Sequence, residues 1–118
     1  MKDIAKFINE SAGVKIVMDP FNYATILQSL GAYAENDASQ KEQADSVIEY
    51  LNDYKNVKWV GRRKIDQEFR LSSDQISIIS QALKAYIDND DRKNNQGNGR
   101  PTDAGLNQVI KWFNGFVK

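Results

Sequence analysis

The chain has 118 residues, 41% of them hydrophobic and 27% charged, which is the balance of one folded domain spanning 1–118 rather than of a disordered tail. It contains no cysteine and no histidine, which excludes disulfides, thiol nucleophiles, serine triads and thiolate or imidazole metal sites. Its 16 basic and 16 acidic side chains cancel, so the whole molecule lacks the long-range field that non-specific nucleic-acid binders exploit.

Met1 to Glu10 mixes charge with apolar residues instead of forming a signal-peptide core, and no run of about 20 apolar residues occurs. A cytoplasmic protein without a membrane partner is expected. Ile4, Phe7 and Ile8 recur at helical spacing, and Gly13 is a natural stop. Val14 to Met18 is an apolar run rich in β-branched residues and reads as a strand. Asp19 and Pro20 then form a helix start, with a cap followed by a residue that needs no N–H. The stripe behind it is Tyr23, Ile26, Leu27, Leu30, Tyr33 and Ala34.

A third helix is predicted from Asp37, with Gln40 in a loose capping box and Ala44, Val47, Ile48 and Leu51 as its apolar face. Between 57 and 71, Val57 to Val60 and the alternation Ile65, Gln67, Phe69, Leu71 read as short strands, with Gly61 helping the turn. Ser72 with Gln75 opens the fourth helix, which buries Ile76, Ile79, Leu83, Tyr86 and Ile87. Asp88 to Pro101 is rich in Asn and Gly and offers no apolar anchor, so a mobile loop is expected. Pro101 and Thr102 start the last helix, whose stripe is Leu106, Val109, Ile110, Phe113, Phe116 and Val117. The prediction is a mainly α protein, a small bundle of about five helices with short β elements near 14–18 and 57–71.

Sliding the chain on itself by 53 positions aligns Ile26 to Asp37 with Ile79 to Asp90, with seven identities in twelve pairs. Gln28/Gln81 and Tyr33/Tyr86 are among them, and Asp19 falls opposite Ser72. A shift of 62 then pairs Val47 with Val109, Ile48 with Ile110 and Leu51 with Phe113. The expectation is two pseudo-repeated helical hairpins, about 14–55 and 66–118, packed face to face because neither buries its stripe alone.

Familiar devices for cofactor or metal binding are missing, and none is expected. A calcium loop started at Asp88 would set Arg92 and Gly99 at positions that need oxygen donors, and Gly97 and Gly99 are not followed by the lysine of a phosphate loop. The favoured reading is a non-enzymatic adaptor, inhibitor or regulatory subunit that binds a protein partner or itself. Trp112, Phe113 and Phe116 supply more aromatic area than one stripe needs and are the candidate partner-binding residues, unless all three complete the core.

The alternative is nucleic-acid binding, because charge is segregated along the chain. Residues 35–54 hold six acids against one base (−5) and residues 55–70 hold six bases against two acids (+4). Lys55, Lys58, Arg62, Arg63 and Lys64 surround Trp59, a set that suits phosphates and bases; the plainer reading buries Trp59 and leaves the bases on a solvated turn. Helix, strand, two helices and two strands also describe a winged helix over 1–71, but its groove-entering helix would carry Glu42, Asp45, Glu49 and Asp53 against Lys41. A small enzyme using carboxylates or a lysine is the third reading.

Overall fold

Three antiparallel strands and five α-helices form the 13–117 region described by the computed structural model; the helix expected around Ile4, Phe7 and Ile8 lies outside these residues. In chain order they are β1 (Val14–Met18), α1 (Pro20–Asn36), α2 (Lys41–Asn52), β2 (Lys58–Val60), β3 (Asp66–Leu71), α3 (Ser73–Tyr86), α4 (Asp90–Asn94) and α5 (Asp103–Asn114). The protein is mainly helical, with its β elements where the alternation and the β-branched run predict them.

β3 is the central strand of the order β1-β3-β2. Period-two alternation sends Ile16, Met18, Phe69 and Leu71 to one face, where all four are buried, while Lys15 and Val17 point out. Gly13 leads into β1 at φ 66°, and a Cβ there would lie 2.9 Å from the Leu71 carbonyl oxygen, so glycine is required on two counts.

The helix starts follow their caps. Asp19 accepts the Asn22 amide at 2.7 Å, and the Ser72–Gln75 box closes in both directions at 3.1 and 2.8 Å. Asp37 departs from expectation. Its carboxylate accepts from the Ser39 amide two residues on, which closes a 3₁₀ turn at Ala38–Gln40; α2 therefore begins at Lys41 and Gln40 makes no capping bond. Ile87 and Val117 also miss their predicted burial, at 38% and 39% exposure, because α3 and α5 end before them.

One buried cluster joins the inner face of the sheet to α1 (Ile26, Leu30), α2 (Val47, Leu51), α3 (Ile79, Leu83) and α5 (Leu106, Val109, Phe113). Each such side chain contributes about 1.5–3 kcal/mol on burial, so the shared core rather than any one helix holds the elements in place. Of the residues aligned by the 53-residue shift, one pair meets directly, and two tyrosines bond crosswise to the two glutamines near the surface. Ile16 pairs with Phe69 in the sheet, the Tyr33 hydroxyl donates to Gln81 Oε1 at 3.1 Å, and the Tyr86 hydroxyl donates to Gln28 Oε1 at 3.2 Å.

The 88–101 segment is not the unanchored loop its composition suggests. It contains α4, capped by Asn89, and is pinned by Arg92, whose side chain is fully buried. The Arg92 guanidinium donates to the carbonyls of Tyr86 (2.8 Å), Ile87 (2.7 Å) and Pro101 (3.1 Å) and to Asp103 Oδ1 (2.7 Å). A polar anchor thus does what an apolar one was expected to do. Among the described residues no helix is long and apolar enough to cross a membrane.

From 14 to 71 the connectivity is strand, two helices and a hairpin whose second strand returns beside β1. The order of strand, two helices and two strands is the one the winged-helix reading expects here, while the helix that reading needs before β1 lies outside the described residues.

Candidate nucleic-acid interface

The basic segment folds as the β2–β3 hairpin and the turn that precedes it. Lys58 lies opposite Glu68, Trp59 opposite Gln67 and Val60 opposite Asp66. The connecting turn is closed by the Lys64 amide donating to the Gly61 carbonyl at 3.2 Å. Gly61 takes φ 86°, as suits glycine, but Lys64 also lies in the left-handed region at φ 51°. A side chain with a Cβ costs about 1 kcal/mol there, so the turn carries a strained cation where glycine or asparagine would sit more easily.

All six candidate residues of this segment, Lys55, Lys58, Trp59, Arg62, Arg63 and Lys64, are exposed. Trp59 is not the core residue of the plainer reading: β2 is a three-residue edge strand, and the indole is 52% exposed. Among the described residues the ion pairs join Lys15 to Glu68, Lys41 to Asp45, Arg92 to Asp103, Lys93 to Asp88 and Arg100 to Asp91. None uses Lys55, Lys58, Arg62, Arg63 or Lys64, so these five positive charges face solvent without a counter-ion among the described residues. The acids segregate to α2, where Glu42, Asp45 and Glu49 are exposed.

Tyr54 belongs with this group and was not singled out by the sequence. Asp53 accepts the Lys55 amide at 3.0 Å and so holds a 3₁₀ turn, Tyr54–Asn56, on which Tyr54 is 78% exposed. The available signal was its place just beyond the helical stripe that ends at Leu51.

The C-terminal aromatics divide. Phe113 is fully buried on the Leu106, Val109, Phe113 stripe of α5, so it belongs to the core and is not open to a partner. Trp112 and Phe116 are half-buried and close over it, with ring centroids 5.5 Å apart in an edge-to-face contact. This cluster satisfies itself by packing, and its surplus as a docking surface is small.

A cleft of ≈ 370 Å³ lies between the C-terminal parts of α1 and α3, and its lining includes Tyr33, Asn36, Tyr86 and Asn89 and the acids Glu35, Asp88, Asp90 and Asp91. Burial pushes the Tyr86 hydroxyl above its ordinary pKa, which keeps it a neutral donor. Among the described residues no three acids converge as a metal site needs. The chain was compared with protein-family models, curated proteins and solved structures, and it matches none of them.

Proposed function

We propose that this chain is a non-enzymatic, regulatory nucleic-acid-binding protein whose β2–β3 hairpin engages the phosphate backbone. The observation that carries the reading is the exposed Trp59 set among five cations, Lys55, Lys58, Arg62, Arg63 and Lys64, that form no ion pair among the described residues. Such charges repel one another in the free protein, and a polyanion relieves that repulsion while releasing its own counter-ions. The strained Lys64 points the same way, since local strain is tolerated where the surrounding structure puts a side chain to use.

The hairpin is favoured over α2 as the contacting element. Glu42 and Glu49 on α2 would face phosphates in a major-groove docking and oppose it. The test is fluorescence anisotropy with labelled DNA and RNA at about 50 mM salt and upward. Binding is expected to weaken steeply with salt, and Arg62→Ala/Arg63→Ala/Lys64→Ala should flatten the log–log salt slope by about 2 to 3. A triple variant that binds like the parent overturns the proposal.

One observation favours a second reading, self-association or a protein partner: α2 and the hairpin carry opposite charge on one chain, which suits head-to-tail contact between copies. Light scattering across concentration at low salt separates the two. A monomer at every concentration removes self-association, and salt-reversible oligomers without nucleic acid would favour it.

A further inference from the structure

We infer that the nucleic acid taken by the hairpin is single-stranded, an inference that rests on the nucleic-acid reading above and narrows its substrate. The evidence is the treatment of aromatic side chains across the molecule. Of the five tyrosines, four have their hydroxyls tied down: Tyr23 donates to the Leu51 carbonyl, Tyr33 to Gln81, Tyr50 to the Arg70 carbonyl and Tyr86 to Gln28. Tyr54 alone makes no such bond among the described residues, and at 78% it is the most exposed of their large hydrophobic side chains. Of the two tryptophans, Trp112 packs against Phe113 and Phe116, whereas Trp59 touches no other ring among the described residues and is 52% exposed.

A third exposed ring, Phe21 at 49%, lies against Gly105 at the start of α5, so Tyr54 and Trp59 are the two exposed rings that sit in the basic segment. Tyr54 is on the 3₁₀ turn, Trp59 is on β2, and Lys55 and Lys58 lie between them. A 3₁₀ step rises about 2 Å and an extended step about 3.3 Å, so the rings' backbones are at most about 14 Å apart. That is a short track along which neighbouring nucleotides can be shared.

Ring faces discriminate between nucleic acids. In a duplex both faces of each base are stacked, and only base edges and phosphates are offered to a protein. In a single strand the base faces are free, and stacking on an aromatic side chain is worth about 1–3 kcal/mol per base. Two exposed rings with cations between them match the second surface, and the acids of α2 count against the first.

The experiment is anisotropy with the whole protein and three labelled probes of on the order of 20 nucleotides, oligo-dT, oligo-U and a mixed-sequence DNA duplex, at about 50 mM salt. The expected result is at least about tenfold tighter binding to one or both single strands than to the duplex. Tyr54→Ala and Trp59→Ala, both surface changes checked for native circular dichroism, should each weaken single-strand binding about tenfold and leave duplex binding unchanged. Equal or tighter duplex binding, indifferent to both variants but lost with the three hairpin cations, overturns the single-strand inference and leaves the nucleic-acid reading standing. Failure to bind any of the three probes overturns both.

Discussion

Replacing Arg92 by Met should remove about 3 kcal/mol of stability, although Met nearly fills the same space and no surface is exposed. The figure follows from the partners left behind. The Tyr86 carbonyl keeps a second donor, the Asn89 amide at 3.2 Å, and Asp103 is 67% exposed and returns to water. The carbonyls of Ile87 and Pro101 lose their guanidinium donor, in a part-buried and a buried bond respectively. Two orphaned acceptors at about 1 to 2 kcal/mol each make up most of the loss, and the surface-side ion pair adds little. With an unfolding entropy of about 2.1 cal/mol/K per residue, the midpoint should fall by roughly 12 °C. Urea denaturation followed by far-ultraviolet circular dichroism measures it, with Asp103→Asn as the control that should cost under about 1 kcal/mol. If Arg92→Met costs less than about 1 kcal/mol, or no more than Asp103→Asn, the fork is not what anchors the 88–101 segment.

Tyr33→Phe and Tyr86→Phe each delete one of the two reciprocal tyrosine–glutamine bonds and should each cost about 0.5–1.5 kcal/mol in urea denaturation. Lys64→Asn relieves a left-handed lysine, so thermal unfolding should show unchanged or slightly higher stability, by up to about 1 kcal/mol, while nucleic-acid affinity falls. Burial raises the pKa of Tyr23, Tyr50 and Tyr86 above the ordinary 10.0. The folded state therefore holds these protons more tightly than the unfolded one; their contribution is complete below pH 10 and is lost as pH climbs through the raised values, which denaturation midpoints across the alkaline range will report. Glu42→Lys/Glu49→Lys should strengthen duplex binding and leave single-strand binding nearly unchanged, read by the same anisotropy assay.

Periodicity made the core legible. Ile26, Leu30, Val47, Leu51, Ile79, Leu83, Leu106 and Val109 are buried as their spacing requires, and the Ser72–Gln75 box closes as its residues suggest. Three features were less visible, each for a physical reason. A buried arginine leaves no apolar trace, so the 88–101 segment looked unanchored until its carbonyl partners were brought together by the fold. Trp59 looked like a core residue because tryptophan usually is one; only the shortness of β2 and its place at the sheet edge leave it in solvent. Phe113 and Phe116 were indistinguishable by type, and it is the end of α5 at Asn114 that separates a core residue from a half-buried one. The basic cluster itself is plain in the sequence, whereas the absence of ion pairs at Lys55, Lys58, Arg62, Arg63 and Lys64 among the described residues needs the structure.

Zero net charge and a strongly basic hairpin are consistent once distance is considered. Beyond a Debye length of about 8 Å at physiological salt, the acids of α2 and the bases of the hairpin screen and offset one another, so the protein exerts little pull on a distant polyanion. Close to the surface the local charges act separately. A phosphate chain that meets the hairpin end is attracted, and one that meets α2 is repelled, so charge selects the orientation of contact more than its rate. In the proposed binding mode, base stacking on the exposed Tyr54 and Trp59 would supply the short-range term that charge lacks. On that proposal the exposed rings and the segregated charges would be two parts of one requirement: the first would give affinity to a surface that the second orients.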